Sequence, residues 1–335
     1  MEVLIADQNQ VRELLPMASC LEVMAEALEG MARGGVIMPL RSKIVLPDGE
    51  SIMGWMPGYA DDLQAMGIKV ISAFPKNEGG PHDSHIGVVL LFEAGHGLLR
   101  AIVDATALTA IRTAAVSGVA TRTLARPGAG DLALLGSGAQ AAAHLEAMML
   151  VRDIRRVRVF SRNPENAASF ARRESRKRGL TVEAVPSARE AVEGADIICT
   201  VTSAARPVLS GDWVAPGAHI NAVGAFRPQT RELDSNCVLK ARLYADKKEA
   251  LVAEAGDFLI PRDEGLVDES HIVGELGQVL AGLKPGRQND REITLFKSLG
   301  LAVEDIAAAA FILKEAGKRG VGTFLEIGGR RFGED

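Results

Sequence analysis

A chain of 335 residues is long enough for two domains with separate cores. Its 47% hydrophobic and 24% charged residues are those of an ordinary soluble globular protein, and a net charge of −5 argues against a nucleic-acid partner. Three scattered cysteines (Cys20, Cys199 and Cys237), none in C-x-x-C spacing, argue against a disulfide framework or a zinc site. No basic leader and no apolar run of about 18 residues is present, so neither a signal peptide nor a membrane span is expected, and the cytoplasm is the expected location.

Residues 8–32 carry helical periodicity through Val11, Leu14, Leu15, Met17, Leu21, Met24, Leu28 and Met31, with Pro16 dividing the span into two helices. From Pro39 to Phe92 short β-type runs follow, at 44–46, 51–56, 67–74 and 87–92, with another at 101–103. A small-residue helix is expected over 107–124, and Arg126-Pro-Gly-Ala-Gly130 is a turn-rich joint. Beyond it strands at 132–135, 157–160, 181–185, 196–201, 218–223 and 244–246 alternate with helices at 139–150, 164–178, 187–193 and 248–255, the pattern of an open parallel sheet. Residues 261–268 read as a polar loop. An alanine-rich helix over 299–317, more apolar than a surface helix needs, is expected to return to the first domain. The basic clusters at 152–158 and 172–178 read mostly as solvated helix faces and loops.

The fold expected is therefore α/β: a doubly wound Rossmann domain over 127–299, plus a discontinuous α+β domain from 1–126 with 300–335. The organising stretch is Asp131-Leu-Ala-Leu-Leu-Gly-Ser-Gly-Ala-Gln140, where an apolar strand meets Gly136 and Gly138 and turns into a helix. Gly136 would permit the tight turn, and Gly138 would let the backbone approach a pyrophosphate at the helix N-terminus. Ala141, the third position, is small enough for close helix–strand packing. The second strand ends in Phe160-Ser161-Arg162-Asn163. An acid there would accept hydrogen bonds from the NAD ribose; an arginine between two hydrogen-bonding side chains suits a 2′-phosphate, so NADP(H) is expected to be preferred, with NAD(H) as the alternative.

Arg41, Lys69 and Arg112 stand in apolar or small-residue contexts. Isolated basic residues on strands ordinarily face solvent, and Lys69 points away from the face of Ile68 and Val70. Together the three would make a carboxylate clamp and a lysine whose pKa is lowered enough to donate a proton. His82 and His85 lie in a Gly-rich loop and lack further ligands, so no metal is expected.

These motifs carry a resemblance. Met38-Pro-Leu-Arg41, Gly67-Ile-Lys69, Phe74-Pro-Lys-Asn77, Leu108 to Ser117, Leu135 to Gln140, Gly194 to Ile197, Pro216 to Gly224 and Thr294 to Asp305 resemble the ornithine cyclodeaminase/mu-crystallin family over nearly the whole chain. The resemblance implies a homodimer whose first domain binds substrate and pairs subunits, and whose second domain binds NAD(P). It implies Arg41 and Arg112 at the substrate carboxylate and Lys69 at the reacting nitrogen or oxygen. Thr113, Ser137, Ala139 and Gln140 would contact the cofactor phosphates. Thr202, Ser203, Val223 and Ser298 would line the rest of the cofactor, with Ser84 and His85 near the nicotinamide.

Two departures set the expected chemistry. Cyclodeaminases carry an acid shortly after the Ala-Val-Gly run, where this chain has Ala225-Phe226-Arg227-Pro228. They carry another before the Met-Pro of the first domain, where this chain has Gly54-Trp55-Met56-Pro57. The pattern Gly224-Ala-Phe-Arg-Pro-x-x-Arg-Glu-Leu233 resembles the ketimine reductase branch instead. The expectation is reduction of a 2-imino acid to an L-amino acid, the candidates being Δ1-pyrroline-2-carboxylate, Δ1-piperideine-2-carboxylate or an open imine. The alternatives are an alanine-dehydrogenase-like oxidoreductase, an ornithine cyclodeaminase, and a non-catalytic, NADPH-binding, crystallin-like protein.

Overall fold

A computed structural model describes residues 2–77 and 79–329. The chain forms two compact units: one runs through Arg112 and resumes at Leu301, and the other is Thr113–Gly300. The first unit opens with β1 (Glu2–Ala6), α1 (Gln8–Leu14), α2 (Met17–Ala32), β2 (Val36–Ile37), β3 (Ser42–Val45), β4 (Ile52–Ala60), β5 (Ala65–Ala73), β6 (His85–Glu93) and β7 (Leu99–Asp104). Helix α3 (Ala105–Leu124) spans the division between the units. Pro16 separates α1 from α2 as its fixed φ and missing N–H require. Asp7 closes the start of α1 with a capping box to Gln10.

The second unit continues with β8 (Asp131–Leu135), α4 (Ala139–Val151), β9 (Arg156–Phe160), α5 (Pro164–Arg178), β10 (Val182–Ala184), α6 (Ala188–Val192), β11 (Ile197–Thr200) and β12 (His219–Ala222). It ends with α7 (Ser235–Lys240), β13 (Ala241–Ala245), α8 (Lys248–Glu254), α9 (Gly256–Asp263), β14 (Ile272–Glu275), α10 (Leu276–Leu280) and β15 (Ile293–Lys297). The chain then returns to the first unit as α11 (Ala302–Arg319) and β16 (Thr323–Glu326).

The sheet of the first unit has the order β16-β1-β7-β6-β5-β4-β2, with β3 also on β4. In register, Met56, Lys69 and Val89 share one face with Gly58, Gly67 and Leu91, and that face carries α11. The opposite face is Trp55, Val70 and Val88 with Met53, Ser72 and Ile86. It is left largely uncovered: Met53 is 48% exposed, Ile86 44% and Val88 37%. The ordinary expectation for an isolated strand lysine is thus inverted here. Ile68 and Val70 lie on the open face, and Lys69 is buried beneath α11.

Two glycines let the helix come that close. Gly58 and Gly67 face each other across the β4–β5 ladder, and Ile306 of α11 fills the hollow over them. A Cβ on Gly67 would stand 2.8 Å from Ile306 Cγ1 and 3.1 Å from the Leu90 carbonyl.

The second unit's sheet is parallel throughout, with the order β10-β9-β8-β11-β12-β15-β13-β14. The order reverses between β8 and β11, the switch point at which a doubly wound sheet binds its ligand. Three expectations shift. Residues 293–297, not expected to be a strand, form β15 beside β12. Residues 261–263, expected to begin a polar loop, close α9, where burial of Phe258 holds a turn that Pro261 would otherwise end. Arg158, inside a basic cluster, is buried, donating to the Glu190 and Glu193 carbonyls and pairing with Asp131 at 2.7 Å.

Gly67→Ala should therefore cost about 1–3 kcal/mol in urea unfolding, because the added methyl must displace Ile306 or the β6 backbone. Gly128→Ala, with no atom within 4 Å of the new Cβ, is the control and should cost less than about 0.5 kcal/mol.

Candidate active site and dinucleotide site

Under α11 four charged side chains meet in the first unit. The first turn of α11 carries Glu304 and Asp305, placed where a helix N-terminus favours negative charge. Asp305 Oδ2 lies 2.8 Å from Lys69 Nζ, and Asp305 Oδ1 accepts from Arg112 Nε at 3.0 Å. Arg112 Nη1 donates to Glu304 Oε2 at 2.8 Å. Asp305 therefore bridges the two cations, and none of the four side chains is more than 4% exposed.

Burial pushes the Lys69 amine down to about 8, helped by the Arg112 and Arg41 charges and opposed by Asp305. Arg41, half-buried between β2 and β3, thus lies within electrostatic reach of Lys69, so all three basic residues singled out in the sequence act on one region. Directly across the ladder from Lys69 stands Met56, buried and apolar, with Gly54 next on the same face. Ser84 and His85 enter β6 in this unit, Ser84 Oγ standing 3.2 Å from His85 Nδ1. Among the described residues no group of three or more His, Cys, Asp or Glu side chains could hold a metal ion.

In the second unit the strand–turn–helix forms as its sequence requires. Gly136 takes φ 117°, a value that disfavours any side chain, and a Cβ there would stand 2.6 Å from the Val201 carbonyl. Gly138 is the N-cap of α4, and a Cβ on it would meet nothing within 4 Å. The protein's own packing does not demand that glycine; a pyrophosphate approaching the first turn beside Ser137, Ala139 and Gln140 would. Ala141 is fully buried against the sheet.

Two buried side-chain atoms lack a hydrogen-bond partner among the described residues at this end of the sheet, Gln140 Oε1 and Ser298 Oγ. Orphaned polar atoms of this kind call for an external partner, so the residues present fit a dinucleotide. Thr202 and Ser203 follow β11, Val223 follows β12, and Thr113 is buried on α3. At the end of β9, Ser161 is half-buried and Arg162 projects into solvent. Asn163 has a local purpose: its side chain caps α5 by accepting from Glu165 N at 2.9 Å.

Sequence reasoning assigned no role to Glu304 or Asp305. The available signal was two adjacent acids inside an alanine-rich apolar run, matching basic residues in equally apolar surroundings. Glu232, Asp257 and Lys297, buried in the second unit, were missed as well.

The family model for the ornithine cyclodeaminase/mu-crystallin family matches residues 1–319. The chain belongs to that family. Among its relatives in the family, a Δ1-pyrroline-2-carboxylate reductase of Bacillus cereus is 39% identical over 97% of this chain and 100% of its own length. The mouse ketimine reductase mu-crystallin is 42% identical over 83% of this chain and 85% of its own. The structure of Thermococcus litoralis Δ1-pyrroline-2-carboxylate reductase, in complex with NADH and L-proline, superposes with a TM-score of 0.93. It is 40% identical and covers 96% of this chain and 99% of that one.

Asp305→Asn should cost about 3–5 kcal/mol in urea unfolding, because it strips the shared counter-charge from two buried cations. Unchanged stability would mean that Asp305 does not bridge them.

Proposed function

We propose that this chain is an NAD(P)H-dependent imine reductase that converts a cyclic 2-imino acid to the L-amino acid. Δ1-pyrroline-2-carboxylate is the first candidate and Δ1-piperideine-2-carboxylate the second. The observation that carries this reading is Lys69: a buried amine with its pKa lowered to about 8, fixed by Asp305 and set among arginines. Such a group holds a proton near neutrality and can deliver it.

Arg41 and Arg112 bind the substrate carboxylate and fix its orientation. Lys69 Nζ protonates the imine nitrogen, making its carbon electrophilic, and is itself reprotonated from water. The dinucleotide, when bound, supplies the hydride that this carbon accepts. Gly136, Ser137, Gly138, Ala139 and Gln140 hold its pyrophosphate. Thr113, Thr202, Ser203, Val223 and Ser298 would contact other parts of it, and Ser84 and His85 would serve its nicotinamide. Met56 and Gly54, beside Lys69, offer an apolar surface to a ring and no charge to a distal amine, which favours a cyclic imine over ornithine.

NADPH is the preferred donor in this reading. No acid ends β9 to repel a 2′-phosphate, and exposed Arg162, flanked by Ser161 and Asn163, is available to grip one. The working form is a homodimer in the cytoplasm. The uncovered face of Met53, Ile86, Val88 and Met66 supports self-association, since contiguous apolar surface of this kind marks interfaces. Three buried free cysteines suit a reducing compartment.

The test follows NADPH and NADH oxidation with both cyclic imines, with pyruvate plus ammonia or methylamine, and with iminosuccinate. Ornithine with NAD, scored for proline and ammonia, completes the panel. The cyclic imines should turn over fastest; ornithine turnover without imine reduction would refute the reading. Arg162→Ala should raise KM for NADPH by about tenfold or more, the worth of a charge-assisted contact, and leave KM for NADH nearly unchanged. Equal losses would show that Arg162 does not read the 2′-phosphate.

A further inference from the structure

Beneath the ends of β11, β12 and β15 lies a second buried charged cluster, separate from the one under α11. Glu232 is fully buried, and both its oxygens are occupied. Oε1 accepts from Thr202 N at 2.7 Å and from Thr202 Oγ1 at 2.6 Å. Oε2 accepts from Gly224 N at 2.7 Å and from Thr200 Oγ1 at 2.8 Å. One carboxylate thus ties the loop leaving β11 to the loop leaving β12. Two of its four donors are backbone amides, which can only donate.

The fit leaves no slack. A Cβ on Gly224 would stand 2.0 Å from the Thr202 carbonyl and 2.6 Å from Glu232 Oε1. The Thr202 hydroxyl, donating to Glu232, also accepts from Ala204 N at 3.1 Å, so its rotamer is fixed from both sides. Glu232 is held in turn: its own N–H and that of Leu233 donate to Asp257 Oδ1 at 2.8 and 3.0 Å. Asp257 Oδ2 pairs with Lys297 Nζ at 2.9 Å, and Lys297 donates to the Ala225 carbonyl at 2.5 Å. Lys297 ends β15, the other neighbour of β12, so the brace spans three adjacent strand ends.

In a doubly wound sheet the two halves of a dinucleotide lie on either side of the switch point. Here Gly136, Gly138 and Arg162 serve the β8–β9 side, which takes the adenosine half. The β11–β12–β15 side is left for the nicotinamide half, and every loop on that side which Glu232 or Lys297 touches is one of these strand ends.

We infer that Glu232 is a positioning residue for the nicotinamide half of the cofactor, acting through the Thr202 and Gly224 loops. The inference rests on the dinucleotide reading above. It goes beyond it in dividing the site into a half that depends on Glu232 and a half that does not.

The test compares two ligands by titration calorimetry on the full chain. NADH has a nicotinamide; ADP-ribose keeps the adenosine, both phosphates and the distal ribose but lacks it. Glu232→Gln, which leaves one amide nitrogen facing donors, should weaken NADH binding about tenfold or more and lower kcat, with ADP-ribose affinity changed by less than about twofold. Thr200→Val removes one donor to Glu232 from a buried position outside the site. It should shift NADH binding in the same direction by a smaller factor, and it tests the inference even if Glu232→Gln fails to fold. Equal losses for the two ligands in Thr200→Val, or no loss for either, would overturn the inference. An unaltered chain that binds neither of these ligands nor NADPH would overturn the dinucleotide reading itself.

Discussion

Asp305 bridging Lys69 and Arg112 is the interaction on which the first unit's chemistry depends. Three charges without solvent are costly unless geometry and sign are matched, and removing any one leaves the others uncompensated. The second acid, Glu304, brings the group to two cations and two anions, so the cluster is near balance before Arg41 is counted. Asp305 is the member of the cluster that lets Lys69 keep a proton near neutrality although burial works against it. Without Asp305 only desolvation and two arginines would act on it, and all three lower its pKa.

Such an arrangement needs α11 pressed close to the sheet, and the paired glycines of β4 and β5 make the space. Ile306 sits over Gly58 and Gly67, which sets Asp305, one residue earlier, over Lys69. On the opposite face β4 places its odd-numbered side chains and β5 its even-numbered ones, Met53, Trp55, Ile68 and Val70 among them. A sheet whose lysine faces the helix and whose isoleucine and valines face outward is reversed from the ordinary pattern, and it makes sense if the outward face is itself covered by another subunit. The candidate active site and the proposed dimer surface are thus two sides of one alternation.

The second unit was legible because its signals are local. An apolar run, two glycines and a small-residue helix give Leu132 to His144 its strand, turn and helix with no need of distant residues. The missing acid at Ser161 is a local signal as well. What could not be read depends on long-range pairing. Arg112 and Asp305 are 193 residues apart, and neither signals the other except by standing charged in apolar company. The burial of Lys69 was hidden because alternation fixes which residues share a face, while tertiary packing fixes which face is inside. Strand β1 and the edge strand β16 escaped for a related reason: they are short, and they are defined by each other and by β7. Glu232 stood in a motif already singled out, but its four donors come from the end of β11 and the loops after β11 and β12, which only the parallel sheet brings together.

The central claim is that Lys69, held by Asp305, is the proton donor. The most direct measurement is the pH dependence of kcat/KM for Δ1-pyrroline-2-carboxylate in the unaltered chain and in Lys69→Met. The protonated amine is the active form, so activity should fall as pH rises through about 8. Lys69→Met should lose about 100-fold or more in rate, and with it that alkaline limb, while any limb due to titration of the imine itself should persist in both. Matching profiles of similar height in the two proteins would contradict the account.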